Sequence, residues 1–338
     1  MRILIVTPAQ PRTTGNWVSA RRQQKGLEAL GHDVHIVEAE DSVRKLETET
    51  ENFAPDVVNI LHAYRSGKLW LACEPFDRLP LAVTLTGTDV NHGLAHPEQR
   101  PTILTVLTRA EAIITLNGST TTTLQKDYPG LASRLHHVPP ALDPGVDSWG
   151  LRDALGLQSD RILFLHPAGI RPVKANLELL EMFGPVAAAQ PSGLLVFCGP
   201  VLDVDYGRRF LKAVKSHPWA HYAGEIPVTA MPATLREADV VLNNSVSEGF
   251  SNALHEAAWV GTPILARNIP GNVAAFEPGR QGLLYDSPQR FMQHAAKLAR
   301  DPHLRARLSQ PNHRVRSLME EAHQLERIFL TLVSPARS

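Results

Sequence analysis

The sequence is poor in cysteine, has no excess of charge of either sign and lacks long apolar runs. Its two cysteines, Cys73 and Cys198, stand far apart and form no C-x-x-C motif, which favours a reduced, cytoplasmic setting. Lysine plus arginine and aspartate plus glutamate number 34 each, a balance that argues against a nucleic-acid-binding face. No window approaches about 18 consecutive apolar residues, so we expect no transmembrane helix. The N-terminal apolar run is too short for a signal peptide.

Several catalytic motifs are also missing. No G-x-S-x-G, Walker A or G-x-G-x-x-G sequence is present. His255 and Glu256 begin like the zinc motif H-E-x-x-H, but the fifth residue is Trp259. Asp203 and Asp205 form an Asp-x-Asp pair, which could hold a metal–diphosphate but which we interpret as a loop with a helix cap. The sequence therefore predicts neither a metal nor a cofactor.

Short apolar, β-rich runs recur along the chain, separated by helix-compatible segments. The chain has 338 residues and 43% apolar residues, enough for two domains with cores of their own. The predicted strands lie at 2–8, 33–39, 56–63, 80–87 and 111–118, and then at 161–169, 193–200, 219–226, 238–245 and 262–268. Predicted helices lie at 16–30 and 176–189. This alternation predicts two doubly wound α/β domains.

Three prolines and two glycines interrupt the pattern at 136–150, which we interpret as a linker. We place the domains at 1–145 and 151–312. From Val315 onward, apolar residues recur at a spacing of three and four, which predicts an amphipathic helix. We assign this helix to 313–335 and expect it to pack back across the domains.

Loops that follow parallel strands are where open α/β sheets bind ligands. Gly15 and Asn16 follow the first strand at a helix start, where free amides and the helix dipole suit a phosphate. The alternative is a turn glycine with an ordinary N-cap. Asp89 follows the strand at 80–87 and would face a cleft, although an isolated aspartate here could equally cap a helix.

Charged residues follow two of the predicted strands in the second half. Arg171 and Lys174 could neutralise a diphosphate, the alternative being a solvated surface pair. Glu248 and Glu256 stand eight residues apart and flank Gly249, which allows close backbone approach to a ligand. A carboxylate here could accept hydrogen bonds from a ribose diol. The alternative is two solvent-facing glutamates.

Together these segments resemble retaining GT-B glycosyltransferases of family four. The stretch SEGFSNALHEA (247–257) is similar to the family's E-x7-E motif, and 261–272 is similar to the segment that follows it. GIRPVKAN (169–176) stands where the family has its phosphate-binding Arg and Lys, LTGTD (85–89) resembles H-G-T-D, and GNWVSARR (15–22) fits the glycine loop. The order agrees over essentially the whole chain. Proteins of the glycosyltransferase 1 domain-containing protein 1 type and their bacterial relatives resemble it most, and selenosugar synthases come second.

The resemblance implies a GT-B fold, in which two Rossmann-like domains face each other across a cleft and a C-terminal helix crosses over. The first domain would bind the acceptor and the second a nucleotide-diphospho-sugar, UDP-linked, without a metal. The transferred group would be a hexosyl or N-acetylhexosaminyl unit. One alternative is a selenosugar synthase-like reaction with a small anionic acceptor such as selenophosphate, and another is an inactive nucleotide-sugar-binding protein.

The resemblance also implies site residues. Catalytic roles fall to Arg171, Lys174, Glu248 and Asp89. Donor contacts fall to Gly15, Asn16, Arg171, Lys174, Glu248, Gly249, Phe250, Ser251, Asn252 and Glu256. Acceptor contacts are expected from Arg12, Arg21, Arg22, His62, Arg65, Thr88 and His92. The chain departs from the family at Thr86, where a histidine is usual, and in the short spacing between its Arg and Lys.

Overall fold

The computed structural model describes residues 1–40, 42–73, 78–143, 145, 147–158, 160–312 and 315–334. Contacts divide the chain into two units. Unit 1 comprises Met1–Asp143, Glu248–Phe250 and Arg316–Ser338, and unit 2 comprises Pro144–Ser247 and Ser251–Val315. The predicted linker includes Pro144 and Val146, and the predicted C-terminal segment includes His313, Arg314 and Pro335, all of which lie outside the described residues.

Unit 1 is built on a six-stranded parallel sheet in the order β2-β1-β3-β4-β5-β6. Its strands are β1 Arg2–Pro8, β2 Asp33–Ala39, β3 Val57–Leu61, β4 Leu81–Leu85, β5 Ala112–Thr115 and β6 Leu135–His137. Its helices before the linker are α1 Gly15–Ala29, α2 Val43–Phe53, α3 Arg65–Trp70, α4 Thr88–Asn91, α5 Arg100–Arg109 and α6 Gly118–Asp127.

The apolar runs of unit 1 form buried strands because helices cover both faces of the sheet. Successive side chains of a strand point to opposite faces. Leu4 and Val6 therefore enter one core cluster, whereas Ile3 and Ile5 enter the other. All four are fully buried.

Unit 2 repeats this design with the strand order β12-β11-β10-β7-β8-β9, again all parallel. Its strands are β7 Ile162–Pro167, β8 Gly193–Cys198, β9 Ala220–Tyr222, β10 Val240–Asn243, β11 Ile264–Arg267 and β12 Gly282–Tyr285. Its helices are α7 Leu151–Ala154, α8 Asn176–Ala189, α9 Val204–Lys215, α10 Met231–Glu237, α11 Asn252–Val260, α12 Pro270–Val273, α13 Pro288–Arg300 and α14 Pro302–Leu308.

The last helix, α15 (Leu318–Val333), begins with a capping box formed by Ser317 and Glu320. Its apolar stripe, which includes Leu325 and Phe329, fills one core cluster of unit 1. It packs closely on α1, where a Cβ at Gly26 would lie 2.9 Å from Ala322 Cβ. The described part of α15 belongs to unit 1, and its predicted crossing between domains stays a prediction.

The predicted pair of doubly wound α/β sheets is confirmed, but three local features were not predicted. Strand β6 is only three residues long, lies at the sheet edge and contains two histidines, so it has no apolar run to reveal it. Strand β12 is a four-residue strand that starts with Gly282. Helix α11, for which no bounds were predicted, begins at Asn252. No helix within the described ranges has the length and apolar character needed to cross a bilayer.

Candidate functional site

The loop after β7 carries the predicted cation pair. Arg171 has an extended backbone and precedes a single 3-10 turn, Pro172–Lys174. Ala175 then adopts a left-handed conformation with φ of +49°, and α8 begins at the next residue. Asn176 Oδ1 accepts a hydrogen bond from the Arg171 backbone N–H at 3.2 Å. The Asn176 Nδ2 atom is buried and has no hydrogen-bond partner among the described residues, an arrangement that favours an incoming acceptor atom.

The N-terminus of α8 is only partly capped. Ala175 supplies no side-chain cap. The hydroxyl of Tyr206 accepts the Leu177 N–H at 2.8 Å and donates to Glu178 Oε2 at 3.0 Å. The positive end of the helix dipole therefore lies beside the Arg171–Lys174 loop, in a position that suits an anion.

Polar side chains organise the loop after β10. Asn243 Nδ2 donates to Ser251 Oγ at 3.0 Å, and Asn243 Oδ1 accepts the Ser245 N–H at 2.9 Å. Ser251 is the N-cap residue of α11, but its side chain makes no capping hydrogen bond. The amides at the start of α11, from Asn252 onward, are thus left available to a ligand.

Two hydrogen bonds join this loop to the cation loop within unit 2. Asn244 Nδ2 donates to Ala175 O at 2.8 Å, and the Val246 N–H donates to Val173 O at 2.9 Å. Glu256 lies half-buried in the second turn of α11. Glu248, Gly249 and Phe250 belong to the same loop but group with unit 1. Unit 2 therefore brings together five predicted donor residues, namely Arg171, Lys174, Ser251, Asn252 and Glu256.

In unit 1, the residues after β1 form a second helix start. Thr14 is the extended N-cap of α1, but its side chain makes no capping bond. Its Oγ1 atom is buried and lacks a partner among the described residues. Gly15 is exposed and Asn16 is half-buried, so both are accessible at this helix end.

The environment of Asp89 does not suit its predicted catalytic role, because its side chain is fully buried. Its carboxylate accepts four backbone N–H groups, from Ala63 at 2.9 Å, Thr86 at 3.3 Å, Gly87 at 2.8 Å and Val90 at 3.1 Å. These donors come from the loop after β3, the loop after β4 and the short helix α4. Asp89 is therefore a positioning residue that joins the two loops, rather than a group that faces substrate.

Three predicted acceptor residues meet beside these loops. His62 has φ of +76°, a strained conformation that non-glycine residues retain mainly at functional sites. The Arg65 N–H donates to His62 Nδ1 at 3.2 Å, so the ring proton lies on Nε2. Nε2 in turn donates to the Thr88 hydroxyl at 3.0 Å. Thr88 thus accepts from His62, and its own proton is directed elsewhere.

The other predicted acceptor residues do not join this group through their described contacts. Arg12 lies over the Trp17 ring at 4.8 Å and pairs with Glu38. Arg21 donates to Gln24, and His92 is exposed at the end of α4. The predicted acceptor contact of Arg22 has to be corrected. The Arg22 guanidinium is buried in an ion pair with Glu321 and cannot reach an acceptor.

The Asp-x-Asp pair has an ordinary structural role. Asp203 caps α9, as predicted, by accepting the Tyr206 N–H at 2.9 Å. Asp205 pairs with Arg208 on the exposed face of the same helix. Within the described ranges, no group of three or more His, Cys, Asp or Glu side chains is arranged to hold a metal ion.

Replacing Asp89 by asparagine is expected to lower the free energy of unfolding by about 1.5–3 kcal/mol, because the new amide group cannot accept all of these buried N–H donors. Asp127→Asn, at an exposed position on α6, should change it by less than about 0.5 kcal/mol. Urea denaturation of both variants measures the difference. A stable Asp89→Asn variant that has lost turnover would restore Asp89 to the catalytic set.

Sequence comparison places part of the chain in a known family. Residues 147–314 match the family described as glycosyl transferases group 1. The chain is 26% identical over 323 residues to glycosyltransferase 1 domain-containing protein 1 of Xenopus tropicalis, covering 91% of this chain and 90% of that protein. It is 24% identical to alpha-monoglucosyldiacylglycerol synthase of Acholeplasma laidlawii, covering 91% of each.

Solved structures resemble the chain over nearly its whole length. Anabaena HepE, solved in complex with UDP and glucose, matches with a TM-score of 0.78 at 16% identity and covers 99% of this chain and 100% of its own. Sucrose-phosphate synthase from Thermosynechococcus elongatus matches with a TM-score of 0.75 at 16% identity, covering 98% and 97%. These likenesses confirm the predicted GT-B fold class. The match to the glycosyl transferases group 1 family spans residues 147–314, which is just under half of the 338-residue chain.

Proposed function

We propose that this protein transfers a sugar, with retention of anomeric configuration, from a UDP-linked donor to an acceptor held by the N-terminal domain, residues 1–145. The domain at 151–312 binds the donor. The family match supports glycosyl transfer, and the structural neighbour solved with UDP and glucose supports the choice of UDP. The transferred unit is a hexose or N-acetylhexosamine.

The observation that carries this proposal is the convergence of two helix starts and two cations at one edge of the unit 2 sheet. Helix α8 follows Arg171 and Lys174, and α11 begins at Asn252 without a side-chain cap. A departing nucleoside diphosphate gains negative charge in the transition state, and fixed donors aimed at that charge supply the largest catalytic contribution. Arg171, Lys174 and the helix amides would supply it without a metal.

In this proposal the two glutamates contact different parts of the donor. Glu256 accepts hydrogen bonds from the ribose hydroxyls. Glu248 lies at the sugar, and the Gly249–Asn252 backbone approaches the sugar and phosphates. Neither glutamate is assigned a covalent role.

A small anionic acceptor, such as selenophosphate, is a second candidate. It is favoured by Thr88, whose hydroxyl accepts from His62 and keeps its own proton for an oxyanion, and by Arg65, an exposed cation three residues after His62. An inactive nucleotide-sugar-binding protein would have no need of an acceptor site, so it would not account for these groups.

The proposal is tested by incubating the purified protein with UDP-, GDP- and ADP-sugars and identifying the retained or released nucleotide by mass spectrometry. We expect the purified protein to retain UDP rather than GDP or ADP. When no acceptor is added, we also expect slow hydrolysis of the UDP-sugar, which produces free UDP. Retention without any turnover, even with an extract of candidate acceptors, would favour the inactive binding protein. Exclusive retention of GDP or ADP would refute the UDP assignment.

Chelation should not abolish donor hydrolysis, because the diphosphate charge is balanced by side chains and helix amides. We expect the rate with EDTA to stay within about twofold of the untreated rate. The Asp205→Ala variant serves as the companion test and should behave like the wild type, since Asp205 pairs with Arg208 at an exposed position. Loss of activity in both experiments would require a metal at the Asp-x-Asp pair.

A further inference from the structure

Three side chains outside the predicted site meet at the carboxyl edge of the unit 2 sheet. Arg267 and Tyr285 are the last residues of β11 and β12 and lie in register with each other. Both donate to one oxygen, Asn244 Oδ1, from Arg267 Nη2 at 3.0 Å and from the Tyr285 hydroxyl at 2.6 Å. The Asn272 side chain donates to Arg267 O at 3.0 Å and so also supports the end of β11.

The direction of the Arg267 side chain follows from strand alternation. Residues two apart on a strand share a face, so Arg267 lies on the same face as Leu265. Leu265 belongs to the core cluster that also contains Leu179 and Phe183 of α8. Arg267 therefore emerges on the side of the sheet where α8 packs, beyond the end of the strand.

Asn244 connects Arg267 to the predicted phosphate loop. Its Oδ1 atom accepts from Arg267, and its Nδ2 atom donates to Ala175 O at 2.8 Å. Ala175 directly follows Lys174. A single asparagine side chain thus spans from the Arg267 guanidinium to the loop that carries Arg171 and Lys174.

The charge of Arg267 is not balanced by its described neighbours. The guanidinium is half-buried and has five N–H donors in fixed geometry, and the side chains described beside it, Asn244 and Tyr285, are neutral. Tyr285 does not compensate it, because burial raises the pKa of that phenol and keeps it neutral. A half-buried cation oriented by two neutral partners is suited to binding an anion.

We propose that Arg267 is a third cation of the donor site, which contacts the phosphate oxygens of the nucleotide diphosphate, and that Asn244 and Tyr285 position its guanidinium. This inference rests on the proposed donor site. It assigns a ligand contact to a residue that lies within the segment 261–272 but to which the resemblance gives no role. The alternative is that Arg267 only holds the Asn244 side chain in position. The two roles predict different changes in affinity for ligands with and without phosphate.

The test compares UDP with uridine, measured by isothermal titration calorimetry and by NMR titration, on the wild type and on Arg267→Gln. Glutamine keeps an N–H donor for Asn244 but removes the charge. We expect UDP affinity to fall by about ten- to a hundredfold, while uridine affinity changes by less than about threefold. Arg280→Gln removes a matched but exposed cation, paired with Glu277, and should leave both affinities unchanged.

Each result decides the matter. A fall of equal size for UDP and uridine, or no fall for UDP, would overturn the phosphate contact. If Arg267→Gln does not fold, Arg267→Lys replaces it, and a retained ratio of UDP to uridine affinity is then expected because the charge remains. If neither variant folds, Arg267 is structural and the proposal fails. A wild-type protein that binds no UDP would instead refute the proposed donor, which is a separate failure.

Discussion

Replacing Glu321 by alanine is expected to destabilise unit 1 by about 3–5 kcal/mol, because it leaves the Arg22 guanidinium buried without a counter-charge. The exposed fractions of these two side chains are 2% and 4%. Glu321 accepts from Arg22 Nε at 2.8 Å and Nη2 at 3.3 Å, and from the Ala141 N–H at 2.8 Å. One carboxylate therefore holds α15, α1 and the chain after β6 together.

Chemical denaturation measures the loss, and hydrogen exchange identifies unit 1 as the region affected. Glu28→Ala, at an exposed position on α1, is the control and should cost less than about 0.5 kcal/mol. The double replacement Arg22→Met with Glu321→Leu should recover most of the stability, because it removes both buried charges. If the single variant is as stable as the control, the ion pair does not hold α15 in place.

The sheets were predictable from the sequence because parallel strands that are covered on both faces consist of continuous runs of apolar residues. Strand β7, for example, has the run ILFLHP, with Leu163, Phe164 and Leu165 fully buried. Strand β6 has no such run. It is held as an edge strand by pairing with β5, a long-range contact that its own three residues do not reveal.

The predicted site rests on residues that stand near each other in the sequence. Arg171 and Lys174 lie in one loop after β7, Glu256 lies in the second turn of α11, and the resemblance of their segments to family motifs indicated all three. Arg22 was misassigned because the partner that buries it lies 299 residues away in the sequence. The positioning role of Asp89 was not predicted because its four donors are backbone amides, which no residue type in the sequence indicates.

The proposed phosphate contact of Arg267 was not predicted from the sequence for a related reason. Its hydrogen bond to Asn244 crosses 23 residues, and that between Tyr285 and Asn244 crosses 41. Neither spacing has a meaning in a sequence motif. The three side chains meet because neighbouring parallel strands end at the same edge of the sheet.

The second large effect is expected at Glu256. In the proposed site it holds the ribose, which does not change during the reaction, so Glu256→Gln should weaken UDP and the whole donor by similar factors. Loss of a hydrogen bond to a charged group corresponds to about ten- to a hundredfold in affinity. Glu248 lies at the sugar end in the same proposal. Glu248→Gln should therefore keep UDP affinity within about threefold and lower turnover instead.

Isothermal titration of UDP, together with donor hydrolysis rates, separates the two glutamates. Glu181→Gln, at an exposed position on α8, is the matched control and should leave both quantities unchanged. Circular dichroism confirms that all three variants are folded. UDP affinity is expected to fall in Glu256→Gln and turnover in Glu248→Gln. The test therefore depends on which quantity falls in which variant, and not on the size of either loss. If Glu248→Gln loses UDP while Glu256→Gln retains it, the donor lies in the opposite orientation along this turn.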